Sequence, residues 1–175
     1  MSRRILLFLS AVILSCMVFA QDHPLHKFEN LIGTWEGTGE GFGAATSVIQ
    51  AEYSWLMNKQ YIQLKHRSEF GPTTQNPKGE THEDLGIISY DSGREKIVCR
   101  QYHNEGFYNE YILVDSLSTE KMLVFDTEKI ENFVPGGRAR LTFHIKSDSE
   151  IETVFEVGFP GKEMACFGKN KLIKQ

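Results

Sequence analysis

The sequence predicts an all-β fold: an antiparallel, up-and-down β-barrel of about ten strands, entered through a short helical turn. Three observations carry this. No helical period is sustained after residue 32. Apolar and polar residues alternate in short runs along the rest of the chain. Turn-forming residues punctuate those runs at close intervals.

The lead is His26–Ile32 (HKFENLI), whose apolar Phe28, Leu31 and Ile32 suit one or two helical turns that plug an end of the fold. Strand-like runs then follow at 33–42, 45–57, 59–70, 80–90, 96–103, 107–114, 121–128, 138–145, 150–157 and 163–173. Explicit turns separate many of them: Met57-Asn58-Lys59, Asp91-Ser92-Gly93, Asn104-Glu105-Gly106, Pro135-Gly136-Gly137, Ser147-Asp148-Ser149 and Pro160-Gly161-Lys162. The longest interval, 71–79 (GPTTQNPKG), reads as an exposed loop. With so many strands and little helix to cover an edge, closure is the expected arrangement, because a closed sheet leaves no unpaired edge. Gly33, Gly37, Gly39, Gly41 and Gly43, in and just after the first strand, fit sharp bending and close backbone approach. A phosphate-cradling loop would need a helix after those glycines, and a strand pattern follows instead.

Alternation assigns the faces. Ile62, Leu64, His66 and Phe70 are expected inside, opposite Tyr61, Gln63, Lys65, Arg67 and Glu69. Ile97, Cys99, Gln101 and His103 share one face. Ala139, Leu141, Phe143 and Ile145 look inward, as do Ile151, Thr153, Phe155 and Val157. The expected interior is apolar and aromatic with a few polar groups, the usual chemistry of a small-molecule cavity.

The N-terminus reads as an export signal. Ser2-Arg3-Arg4 is a short basic region, and an apolar run extends from Ile5 to Ala20. Cleavage is expected after Ala20, leaving residues 21–175 as one barrel domain. That product has 155 of the 175 residues, enough for a single core. The apolar run is shorter than the ~20 residues a membrane-spanning helix needs, so the mature chain is expected to have no integral span. Lipid attachment at Cys16 is the alternative. The expected compartment is the bacterial periplasm or the extracellular space. Without Arg3 and Arg4, 17 basic residues face 23 acidic ones. Such a surface repels phosphate backbones, so nucleic acid is not an expected partner. Cys99 and Cys166 remain after cleavage and are open to a disulfide or to two separate thiols.

Polar clusters are few. His82 and Asp84 share a strand face and read as a rim cluster; no zinc-ligand spacing accompanies them. Arg100-Gln101-Tyr102-His103-Asn104-Glu105-Gly106 is the densest polar stretch on strand-like sequence, with His103 placed to meet a ligand at the mouth. Arg138 and Arg140 suit either an anion clamp or cross-strand pairs with Glu152 or Glu156, and the pairing is the simpler reading. No nucleophile elbow is present.

The opening Phe28-Glu29-Asn30-Leu31-Ile32-Gly33-Thr34-Trp35-Glu36-Gly37-Thr38-Gly39-Glu40-Gly41 resembles the first-strand signature of nitrobindin-like, calycin-type β-barrels. His82-Glu83-Asp84, Gly86 to Asp91, Arg100 to His103, Glu105-Gly106-Phe107, Glu131-Asn132-Phe133 and Pro160 to Glu163 are similar to bacterial relatives of that group whose function is unassigned. The resemblance covers nearly the whole mature chain. It implies a ten-stranded barrel holding heme or another hydrophobic small molecule, without catalysis. In nitrobindins a histidine on the final strand holds the iron. Here that strand carries no histidine, and Cys166 or Phe167 falls about where the ligand would be. On these grounds the expected ligand-lining residues are Trp35, His66, Cys99, His103, Tyr111 and Cys166, with Arg100 and Arg140 orienting an acidic group. Two alternatives remain: a barrel enzyme using His82, Asp84, His103 and Arg100 as acid–base groups, or a non-catalytic interaction module.

Overall fold

The structure is a computed structural model that describes residues 23–41, 45–74 and 76–175. The export signal, its Ala20 cleavage site and Cys16 lie outside the described residues, as does Phe42 at the end of the first predicted strand.

A 3-10 helix, His26–Leu31, leads into ten strands: β1 Gly33–Gly41, β2 Ala45–Leu56, β3 Tyr61–Phe70, β4 Glu80–Asp91, β5 Lys96–His103, β6 Tyr108–Leu113, β7 Met122–Glu131, β8 Arg138–Ser147, β9 Glu150–Gly158 and β10 Ala165–Lys174. Every neighbour pair is antiparallel and consecutive, and β1 closes on β10. The predicted strands coincide with the observed ones to within a few residues at their ends. The predicted turns fall at the connections between strands, with Asp91 and Ser147 taken into the ends of β4 and β8. At the β2–β3 turn, Met57, Asn58 and Lys59 have φ of 48°, 54° and 64°, a run of left-handed residues in which asparagine is the one well suited.

The barrel has two unlike ends. The 3-10 helix closes one of them. Leu25, Phe28 and Leu31 are fully buried there, and Trp35 donates from Nε1 to the Leu31 carbonyl at 2.8 Å, fastening helix to β1. Phe28 stacks at 5.9 Å from Phe125, and Ile62, Ile88, Leu123, Ile151 and Leu172 fill the remaining space. All of these lie at the strand ends nearest the helix. At the opposite end the inward positions shrink. Along β1 they run Trp35, Gly37, Gly39, Gly41; along β10 from the helix end, Leu172, Asn170, Gly168; along β3, Ile62, Leu64, His66, Ser68. A full row of large side chains packs a barrel interior solid; here the taper leaves a cavity that opens at the far end.

The faces follow the predicted alternation. No helix among the described residues is long and apolar enough to cross a membrane. Cys99 is buried and Cys166 exposed, and both are free thiols.

Candidate functional site

The cavity has a volume of about 270 Å³, just below the ~300–1,000 Å³ usual for small-molecule sites. Its walls are mainly apolar: Tyr53, Leu64, Ile130, Leu141, Phe143 and Phe155 line the depth. Four phenylalanines form an arc over one side of the mouth. Phe107 lies 5.9 Å from Phe133, Phe133 lies 5.5 Å from Phe159, and Phe159 lies 6.1 Å from Phe167. Three hairpin connections supply Phe107, Phe133 and Phe159, and Phe167 comes from the bulged start of β10. The other side of the mouth is polar: His82 is held by Glu105 and lies 3.3 Å from Glu80, with Phe70 edge-on to its ring.

A polar row crosses the inner wall of the cavity. Asn109 on β6 donates from Nδ2 to Nε2 of His103 at 3.1 Å and to the Tyr111 hydroxyl at 2.9 Å. Nδ1 of His103 meets Oδ1 of Asp84 on β4. The other Asp84 oxygen lies 3.7 Å from Nδ1 of His66 on β3. Nε2 of His66 faces Nδ2 of Asn170 on β10 at 3.4 Å, and the same amide donates to Thr153 at 3.0 Å. Asp84 is therefore flanked by two imidazoles, each backed by an asparagine amide. An amide Nδ2 only donates, which leaves the ring protons on the Nδ1 atoms that face the carboxylate.

Gly39 makes this row possible. A Cβ at that position would lie 2.4 Å from Oδ1 of Asn170 and 2.6 Å from Oγ of Ser47. The missing side chain lets Asn170 reach across β1 toward His66. Burial pushes the His66 imidazole below its usual range; Asp84 pulls the other way and His103 adds to the lowering. Burial drives the Tyr53 and Tyr111 hydroxyls upward, so both remain protonated at neutral pH.

Of the residues expected to line a ligand site, His66 and His103 stand in the cavity wall. Trp35, Cys99 and Tyr111 point inward but belong to the packed half beneath the cavity. Burial pushes the Cys99 thiol up to about 12, so it is not a thiolate at neutral pH. Arg100 and Arg140 stand on the outer wall, which corrects their reading as orienting groups. Arg100 pairs with Glu110 at 3.1 Å and donates to Ser89. Arg140 makes a two-pronged pair with Asp126 at 2.6 and 2.8 Å. Both alternate with inward neighbours, Cys99 and Gln101 for one, Ala139 and Leu141 for the other, so the pleat turns them out. Cys166 also faces outward. A bulge between Cys166 and Gly168 shifts the register, and it is Phe167 and Gly168 that reach the cavity. The His82, Asp84 and His103 side chains do share the cavity; Arg100, expected with them, does not.

No family model matches the chain, and no curated protein matches it in sequence. Its likeness is to solved structures. The crystal structure of Rv2717c from M. tuberculosis superposes with a TM-score of 0.64 at 13% identity, over 87% of this chain and 98% of that one. The likeness is one of fold. A redesigned β-barrel, mFAP0, bound to DFHBI, gives a TM-score of 0.46 at 8% identity, over 83% of this chain and 100% of that one. That distance is too great to bear on the cavity described here.

Heme is the group implied by the resemblance to nitrobindin-like barrels, and the cavity residues do not fit it. The position of β10 that faces the cavity at the level of His66 is Asn170, whose amide is spent on His66 and Thr153. Nε2 of His66 and Nε2 of His103 each accept from an asparagine, and each Nδ1 faces Asp84, so iron would have to displace one of these partners. Cys166, the thiolate alternative, is on the outer wall. Among the described residues no group of three or more His, Cys, Asp and Glu could hold a metal ion.

Proposed function

We propose that this chain is an exported barrel that binds a hydrophobic or amphipathic small molecule in its open half. One observation carries the reading: a cavity of about 270 Å³, aromatic and aliphatic on its walls, with a single ordered polar row set into them. Apolar walls supply affinity and a few fixed polar groups supply orientation. The resemblance to nitrobindin-like barrels supports a binding role without catalysis. The basic and apolar N-terminal segment supports export to the periplasm or the extracellular space.

A titration with N-phenyl-1-naphthylamine, a neutral fluorophore that brightens in apolar surroundings, tests the reading. One saturable site is expected. Ala139 is buried and lines the cavity, so Ala139→Phe should abolish that site while leaving the circular dichroism of the barrel in place. Binding that never saturates, or that survives Ala139→Phe unchanged, contradicts the reading.

The Asp84–His103 pair favours a second reading, in which the cavity moves a proton on its ligand. The pair is a carboxylate–imidazole unit, and the chemistry it suits is proton transfer. Turnover of a bound ligand with a pH profile that His103→Gln abolishes would establish it.

A further inference from the structure

Resting on the reading of the barrel as a small-molecule binder, we propose that its ligand is a small alkylamine bearing an aromatic ring, whose protonated nitrogen is received at Asp84. The charge inside the cavity is one-sided. Asp84 lies in the wall, and Glu40 and Glu105 stand at the mouth. Among the described residues no lysine or arginine lines it. The arginines nearby are turned outward and engaged there: Arg67 with Glu69 and Glu83, Arg100 with Glu110, Arg140 with Asp126, and Arg138 with the Lys162 carbonyl.

Asp84 is a largely buried carboxylate, 20% exposed, and its polar neighbours are two imidazoles. Each imidazole takes an asparagine amide on its far nitrogen, and burial of His66 disfavours its charged form. The row is hydrogen-bonded throughout, and it sets no lysine or arginine against the carboxylate. A buried carboxylate without a countercharge is costly, and a carboxylate has lone pairs beyond the two its imidazoles use. A ligand ammonium placed on the cavity side supplies the countercharge. The rings of Tyr53, Phe143, Phe155 and Phe167 line the same space and favour a cation over an anion at their faces. A ligand carboxylate would meet Asp84 as a like charge in a poorly screened site.

The test uses three competitors on one two-ring frame, 1-naphthylmethylamine, 1-naphthylmethanol and 1-naphthoate, displacing N-phenyl-1-naphthylamine at pH 7.5. The amine should displace the reporter at a concentration lower than naphthoate by about tenfold or more, with the alcohol between them. In Asp84→Asn the amine and naphthoate should converge. If naphthoate matches or exceeds the amine on the native protein, the assignment of ligand charge is overturned while the cavity reading stands. If the reporter itself finds no saturable site, the cavity reading fails and this inference with it. If Asp84→Asn keeps the full preference, Asp84 is not the receiving group. Imidazole 15N spectra of the native protein give a check that needs no variant: the amine should shift the His66 and His103 ring resonances, and unshifted rings under saturating amine overturn the placement.

Discussion

The two halves of this barrel are built from the same ten strands, yet one is solid and the other hollow. In the helix-capped half the inward residues are Trp35, Ile62, Ile88, Ile151 and Leu172, all fully buried. In the open half the same strands present Gly39, Ser47, Ser68, Thr153 and Gly168. The antiparallel order of the strands is the same in both. Side-chain volume along each strand does, and the position of the cavity follows from that taper. The packed core and the cavity thereby occupy different halves of one sheet.

The strongest way to break the comparison is to hollow the solid half. Trp35→Ala removes a fully buried ring and its hydrogen bond to Leu31. A loss of roughly 3–5 kcal/mol is expected for a large aromatic truncated in a core, read as a fall in the denaturant midpoint. Under conditions where the variant remains folded, reporter binding should persist, because the cavity does not include this side chain.

Filling the hollow half should do the reverse. In Gly39→Val the new Cβ meets Asn170 and Ser47 well inside contact distance, so Asn170 must leave His66. Overpacking of this kind costs about 1–3 kcal/mol. Reporter binding should be lost, while the cost in stability stays below that of Trp35→Ala.

A third prediction uses pH. The folded protein holds His66 below its usual imidazole range, so the unfolded chain binds a proton there more readily. The stabilisation is fully present above the unfolded value of about 6.5 and is lost as pH falls below it toward the lower folded value. His144, also lowered, chiefly by burial, adds to the same decline. His66→Gln should flatten part of the fall in stability between about pH 6.5 and 5, measured by denaturant titration at each pH. A slope identical to the native one would show that the buried imidazole does not set it.

The smallest effect is expected on the outer wall. Arg140→Ala breaks a half-exposed pair with Asp126, worth roughly 1 kcal/mol or less. Reporter binding should be unchanged, in contrast to every variant that reaches the cavity.

Much of the fold is legible in the sequence because its signals are local. Alternation and turn residues mark the strands, and Phe28, Leu31 and Trp35 sit together in a continuous segment. The site is less legible, because it is assembled across strands. Asn109 and Asn170 each follow from alternation with Tyr111 and Leu172. Their meeting with His103 and His66 depends on the register of six strands and on the absent side chain of Gly39. Cys166 misleads for a particular reason: the bulge at Cys166/Gly168 breaks the period of two, and counting along β10 cannot reveal it. Arg100 misleads differently. Its own neighbours Cys99 and Gln101 place it outside, and its charge is not evidence of a ligand when Glu110 lies on the adjacent strand.

The most direct test of the division is an NMR titration of 15N-labelled protein with 1-naphthylmethanol, following backbone amides. The account predicts shifts grouped around Ser68, Asp84, His103, Asn109, Leu141 and Gly168, with the amides near Phe28, Trp35, Ile62 and Leu123 unmoved. Shifts centred on the helix-capped half, or scattered over the outer wall, would contradict it.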